Sequence, residues 1–376
     1  WRWDKMAIGV LYREELKEYD FGPAHPFRGD RYEAFVHLLR GSLTEDDNYR
    51  IIESDWATAR DLLLICDRDY IDFTTEFYKA ANLGLEHVGP FAQFHSDDNM
   101  PGGKPGKVEE AARLVIGQAK LACDLVQGSV FKMVVSIGGG LHHAQRDYGE
   151  GFCLYNDVVF CALYLLENYG LERILILDTD AHAGNGTSSY FYQTSNVLLI
   201  DMHQDPVTLY PGTGFAHQIG EGEGKGYTIN VPLPVFAGYD SYELIFNEIV
   251  QPVAEEFRPQ IIIRNGGSDP YFEDGLTSLG LTVSGFGMIG KRAAQLSAQL
   301  CQGKVIDFIA SGYNRRALPY AWLALICGLA GIQISIADPE PIPQRFTRDH
   351  AFEDTRTVIG EVKKNLSDFW RCFRTS

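Results

Sequence analysis

The segment Arg173–Gly186 (RILILDTDAHAGNG) is an apolar run that ends in Asp178, Asp180 and His182, spaced two apart, and then in glycines. Side chains two apart along a strand point to the same face. A buried strand here therefore delivers two carboxylates and an imidazole together at its end. Such polarity is costly to bury without a cation or hydrogen bonds to hold it, and the pattern reads as a metal site. Asp269, after Gly266-Gly267-Ser268, supplies a third ligand beside Asp180 and His182. Three protein ligands with an open position are the catalytic arrangement of zinc, whereas structural zinc sites are closed by four. Two carboxylates and one imidazole also suit Fe(II) or Mn(II). Taken singly, Asp180 reads as a helix cap and Asp269 as an Asx turn; the Asp-x-Asp-x-His spacing favours metal.

His142-His143 follows Gly138-Gly139-Gly140-Leu141. Adjacent side chains diverge, so the two rings cannot do the same job. One can face a water as general base while the other is anchored deeper by a carboxylate such as Asp178. Tyr313, after Ser311-Gly312, is a packed aromatic in one reading and a hydroxyl donor to a developing oxyanion in the other. The run Gly220–Gly226 (GEGEGKG) lacks phosphate-loop spacing and carries two Glu where an anion would sit, so it reads as a turn. His25, His37, His87, His95, His217 and His350 have no partner pattern and read as structural or surface residues.

These residues need a scaffold that presents strand ends. Continuous apolar runs at Ala7–Leu11, Leu62–Cys66, Met133–Ile137, Ile174–Leu177, Val197–Ile200, Ile261–Ile263 and Val305–Ile309 read as strands buried on both faces. Helical stripes alternate with them, clearest over Val108–Val126, with others near 156–169, 240–256, 286–301, 317–331 and 357–373. The alternation predicts one doubly wound α/β domain over 1–376, a mostly parallel sheet with helices on both faces. Five predicted strands run into His, Asp or Tyr, at the edge where open α/β sheets bind ligands.

The 376 residues carry a formal net charge of −17, which argues against direct nucleic-acid binding. No apolar segment is long enough to span a membrane. Seven scattered cysteines form neither a CxxC pair nor a disulfide framework, the usage of a cytoplasmic protein with reduced thiols. Trp1–Met6 lacks a secretory signal, and the missing initiator Met suggests an edited start.

In order, the motifs resemble those of the histone deacetylase family, which includes the bacterial acetoin-utilisation proteins. The matching segments are Tyr19–Pro26 (YDFGPAHP), Gly138–Cys153 (GGGLHHAQRDYGEGFC), Asp178–Gly186 (DTDAHAGNG) and Tyr210–Gly214 (YPGTG). They continue through Gly224–Leu233 (GKGYTINVPL), Gly267–Leu276 (GSDPYFEDGL) and Ser311–Asn314 (SGYN), so the likeness covers roughly residues 6 to 335. Asp178–Gly186 and Ile200–His203 lean toward the class IV branch, and the glycine-histidine block toward acetoin-utilisation proteins.

The resemblance implies an arginase/deacetylase fold and hydrolysis of an N-acyl amide, typically on a lysine side chain of a peptide or protein. An acetylated polyamine or similar small amine is the alternative substrate, and a non-catalytic acyl-lysine binder the alternative role. A ureohydrolase fits less well, because second-metal ligands are not evident. Carried over, Asp180, His182 and Asp269 would bind zinc, with Fe(II) as a substitute. His143 would be general base and then acid, and His142 would pair with Asp178. Asn185 stands where several members have Asp behind the second histidine, and Tyr313 would polarise the acyl carbonyl. Ser311 stands where a glycine is usual. Phe152 and Tyr210 would line a tunnel around the lysine methylenes, Tyr210 standing where Phe is usual. The Gly151 carbonyl would accept the substrate N–H, and Asp98 would hold the peptide at the rim. Arg31 would lie near an acetate-release pocket. A structural potassium ion is expected near Asp178, with Asp201 in place of the usual Ser. Leu276 occupies a rim position where polyamine-specific members carry Glu, which disfavours a polyamine.

Overall fold

The computed structural model describes residues 8–85 and 89–374. Trp1–Met6, Ala7 at the head of the first predicted strand, and His87 lie outside the described residues. Eight strands form the sheet: β1 (Ile8–Leu11), β2 (Tyr49–Ile52), β3 (Met133–Ile137), β4 (Ile174–Asp178), β5 (Val197–Gln204), β6 (Thr228–Leu233), β7 (Ile261–Asn265) and β8 (Val305–Ile309). Their order is β2-β1-β3-β8-β7-β4-β5-β6, and the named pairs are parallel. Strands β4, β7 and β8 are buried throughout, as continuous apolar runs in a parallel sheet require. The Val108–Gln127 and Asp157–Tyr169 helices pack together on one face; Asp30–Ser42, Val283–Leu300 and Leu318–Ala330 cover the other.

Leu62–Cys66 is not a strand. Thr58 and Asp61 form a reciprocal capping box that starts the helical turn Ala59–Leu62. The chain stays coiled after it, with Cys66 N–H donating to the Leu62 carbonyl at 2.8 Å. Leu62, Ile65 and Cys66 are buried while Leu63 is exposed, a spacing of three to four that an apolar run conceals. The sequence reading missed the two edge strands. Strand β2 carries Arg50 and is only half buried, and β6 contains Asn230 and Pro232, tolerated because no strand among the described residues pairs beyond it. The glycine-rich 220–226 run is the turn that feeds β6. The predicted 240–256 helix is continuous but contains a π-helical turn at Phe246–Val250, and 357–373 resolves into Phe352–Leu366 and a short 3-10 turn. All seven cysteines are free thiols, and no helix among the described residues is long and apolar enough to cross a membrane.

Register aligns the polar strand ends. Asp178 of β4 pairs with Asn265 of β7 on one side and with Asp201 of β5 on the other. One layer down, Arg264 of β7 is abreast of Asp307 of β8, and the two form a fully buried ion pair. Removing one partner of a buried pair strands a charge in the core. Asp307→Ala should therefore lower unfolding stability by about 3–5 kcal/mol, read as a shift of the urea midpoint at unchanged m-value. A loss below about 1 kcal/mol would show the pair to be dispensable.

Candidate active site

The site is built on the C-terminal ends of β3, β4, β7 and β8. After β3, the Gly140 and Leu141 N–H groups donate to the Asp157 carboxylate at 2.8 Å each, and this fixes the loop that carries the histidine doublet. Asp157 opens the helix that Asn156 caps. His142 turns inward: its Nδ1 lies 2.8 Å from Asp178 Oδ2, which also accepts from Asn265 Nδ2 at 2.8 Å. His143 turns the other way, with Nδ1 2.7 Å from Asn185 Oδ1. The rings sit 4.2 Å apart, centre to centre.

Their charge states diverge. Burial opposes protonation of His142, but the Asp178 and Asp180 carboxylates override it and push its pKa up to about 9. Burial, followed by the positive fields of His142 and His182, holds His143 well below its ordinary value. One histidine is held toward its cationic form, the other toward the neutral imidazole.

Ligand atoms of Asp180, His182 and Asp269 all lie within 4.8 Å of one another. His182 Nδ1 is 3.1 Å from Asp180 Oδ1 and 3.0 Å from Asp269 Oδ2. Burial works against ionisation of Asp180, yet His142 and His182 hold it well below the carboxylate range. Burial and the Asp180 charge push Asp269 up to about 8. Two carboxylates this close are stabilised in their ionised form by a shared cation, so this donor set fits a divalent metal. The second oxygen of Asp269 is already committed. Asp269 Oδ1 accepts from Ser311 Oγ at 2.9 Å and from the Ala181 N–H at 3.3 Å.

Ser311, in place of a glycine, knits this loop: its hydroxyl also accepts from the Gly267 N–H at 2.8 Å, and its carbonyl accepts from Trp322 Nε1 at 3.1 Å. Gly312 follows at φ +127°, where a Cβ would strike Ser268 Oγ. Asp274, which the sequence reading passed over, accepts from the Tyr313 N–H at 2.7 Å and so fixes the tyrosine. Burial raises the Tyr313 phenol well above its ordinary pKa, which keeps it a hydrogen-bond donor.

These groups open on a chamber of about 300 Å³, walled by Phe27, Phe152, Leu209, Tyr210 and Leu276. Phe152 and Tyr210 are part of its wall, and Leu276 is an exposed member of the lining. His25 has no partner pattern in the sequence, but its ring packs edge-on to Phe152 at 4.6 Å and its Nε2 meets the Asp98 carbonyl at 2.8 Å. His95 is a core residue held by Thr74 at 2.9 Å. Asp98 lines the chamber with its carboxylate accepting from the Gly151 N–H at 3.2 Å, and the Gly151 carbonyl faces Cys153 Sγ at 3.3 Å. Arg31 sits outside, on the wall of a separate cavity of about 620 Å³. Its guanidinium lies 5.4 Å from the Tyr313 ring centre and donates to the Ala310 carbonyl at 2.9 Å. Asp201, expected beside potassium, pairs with buried His203 at 2.7 Å and accepts from the Gly184 N–H at 2.8 Å.

A parallel α/β sheet that gathers three carboxylates, three imidazoles and a tyrosine at its strand ends is the arginase/deacetylase architecture. The chain belongs to the histone deacetylase family, whose domain matches residues 25–329. It is 34% identical over 375 residues to a probable deacetylase of Archaeoglobus fulgidus, covering 98% of this chain and 100% of that protein. The acetoin utilization protein AcuC of Bacillus subtilis is 32% identical over 332 residues, 86% of this chain and 82% of that protein. Among solved structures, the HD domain of HDA15 superposes with a TM-score of 0.79 at 26% identity, covering 97% of each chain.

Asp180→Asn replaces a charged ligand by a neutral one. After loading with Zn(II) and desalting, elemental analysis should find far less metal per chain than in the parent. Equal metal content in the two proteins would mean that the ion is held elsewhere.

Proposed function

We propose that this protein is a metal-dependent deacylase that cleaves the amide of an N6-acyl-lysine side chain. One observation carries the reading: ligand atoms of buried Asp180 and Asp269 and of His182 converge, and Asp180 and His182 line an apolar-walled chamber together with His143, held toward its neutral form, and Tyr313, held as a hydrogen-bond donor. Apolar walls suit the lysine methylenes, and a rim without a side-chain carboxylate at Leu276 offers no partner there to the free ammonium of a diamine. Asp180, His182 and Asp269 would hold the metal, zinc or Fe(II), which when bound lowers the pKa of a coordinated water and polarises the acyl carbonyl. Potassium near Asp178 belongs to the same proposal.

The remaining steps fall to the chain. With Nδ1 turned to Asn185, His143 keeps Nε2 to take the proton from water as oxygen attacks the acyl carbon. The same nitrogen then returns the proton to the departing lysine amine. His142, favoured as a cation by Asp178, adds to the burial that holds its neighbour neutral and supplies positive potential where the oxyanion develops. Tyr313 donates its hydroxyl to that oxyanion, with its backbone pinned by Asp274.

Tyr313→Phe should cut kcat by about 10²–10³ while leaving peptide binding and metal content near parental values. Retention of most of the turnover would remove Tyr313 from the mechanism. The substrate class is tested by offering the zinc-loaded protein acetyl-, octanoyl- and myristoyl-lysine peptides beside N-acetylputrescine, with Tyr313→Phe as blank. Turnover of a peptide, lost in the blank, is the expected result. Turnover of the polyamine alone would assign a small-molecule amidohydrolase, and silence on all four with zinc bound would assign a binder.

A further inference from the structure

Behind His143 the hydrogen bonds do not stop at Asn185. Asn185 Nδ2 donates to Glu150 Oε1 at 2.9 Å, Gln145 Nε2 donates to the same oxygen at 3.2 Å, and the Tyr210 hydroxyl donates to Oε2 at 2.8 Å. Glu150 is half buried at this junction, two residues before Phe152.

An asparagine side chain is nearly symmetric in shape but not in chemistry: one end only accepts and the other only donates. Nothing steric prevents its rotation by half a turn. Which end meets His143 decides which ring nitrogen carries the proton. If the oxygen faces Nδ1, Nδ1 is protonated and Nε2 has a free lone pair. If the amino group faces Nδ1, the proton moves to Nε2 and the ring cannot accept another there. An ionised carboxylate only accepts, so Glu150 draws the amino end of Asn185 toward itself and turns the oxygen toward His143.

We propose that Glu150 is a positioning residue that sets the reactive tautomer of His143 by fixing the orientation of the Asn185 amide. The proposal rests on His143 being the proton acceptor. It also accounts for the amide at 185. An aspartate there would set its carboxylate against that of Glu150 at the present 2.9 Å contact, where like charges repel. Only a group that accepts on one side and donates on the other fits between a protonated Nδ1 and a carboxylate.

The test is a charge exchange. Glu150→Lys places a donor-only group at the junction; it should reverse the Asn185 amide, move the His143 proton to Nε2 and lower kcat by about 10²-fold, the lower end of what a general base contributes. Asn185→Asp alone should lose about tenfold from carboxylate repulsion. The double variant Glu150→Lys/Asn185→Asp should recover to within about tenfold of the parent, because the introduced carboxylate accepts both from the introduced ammonium and from Nδ1–H of His143. The isosteric Glu150→Gln, which both donates and accepts, should fall between parent and Glu150→Lys. The second readout is independent of turnover: nitrogen-15 NMR of histidine-labelled protein, with the His143 ring assigned by His143→Ala. It should show Nδ1–H in the parent and the double variant, and Nε2–H in Glu150→Lys. Unchanged tautomer in Glu150→Lys, or a double variant no faster than Glu150→Lys, would overturn the proposal. If the parent cleaves no acyl-lysine, the functional reading fails, and the ring tautomer still decides the role of Glu150.

Discussion

Two carboxylates pressed against one imidazole in a buried place are the constraint on which the rest of this molecule depends. Asp180 and Asp269 are almost wholly excluded from water and share His182 between them. Such an arrangement is expensive in an empty protein and favourable around a divalent cation. The fold is organised to hold it open. Parallel pairing in register brings Asp178, Asn265 and Asp201 to one level, and the loops that leave β4 and β7 carry Asp180, His182 and Asp269. Below this layer the strands are apolar, apart from polar groups such as the buried Arg264–Asp307 ion pair. The polar chemistry is thus confined to one edge, where helices of both faces leave a gap.

The same edge makes two neighbouring histidines unlike. His142 and His143 share a loop, and their rings nearly touch. Asp178, fixed by Asn265, favours the cationic form of the first; burial, with the positive fields of His142 and His182, holds the second toward its neutral form. A histidine held toward its cation and one held toward its neutral form are obtained from identical residues by giving each a different environment. The asymmetry originates in the backbone: adjacent side chains diverge, and the Asp157 carboxylate clamps the loop so that they diverge toward a carboxylate on one side and an amide on the other.

Much of this was legible in the chain. Strands β3, β4, β5, β7 and β8 announced themselves because burial on both faces demands unbroken apolar runs, and the reactive residues stood directly after them. Strand β4 ends at Asp178, and Asp180 and His182 lie in the bend that follows, so it is the loop rather than strand alternation that brings these side chains into one site. Leu62–Cys66 deceived because a short apolar run has no visible period, and only the capping box before it marks a helical turn. The edge strands escaped because half-exposed residues and a proline break the apolar signal. Asp157, Asp274 and Glu150 were missed for a different reason. Each acts through backbone amides or another side chain, and a single carboxylate in a loop looks the same whether it is solvated or anchors an active site.

Backbone strain beside Glu150 links the proton acceptor to the chamber wall. Gly151 and Phe152 adopt consecutive left-handed conformations, φ 59° and 65°. For an aromatic residue that costs roughly 1–2 kcal/mol, and it persists only where the surroundings impose it. They do so here. A Cβ on residue 151 would strike the His143 ring, so only glycine lets the chain pass that close. Tyr19 donates to the Phe152 carbonyl at 2.7 Å, and the Asp98 carboxylate takes the Gly151 N–H. This tight turn sends the Phe152 ring toward Tyr313 and His25, while Glu150, the residue before the dipeptide, reaches back to Asn185 and Tyr210. A relaxed backbone at 151–152 would move the wall and the support of the base together. The strained dipeptide therefore couples the shape of the chamber to the orientation of the group that takes the proton.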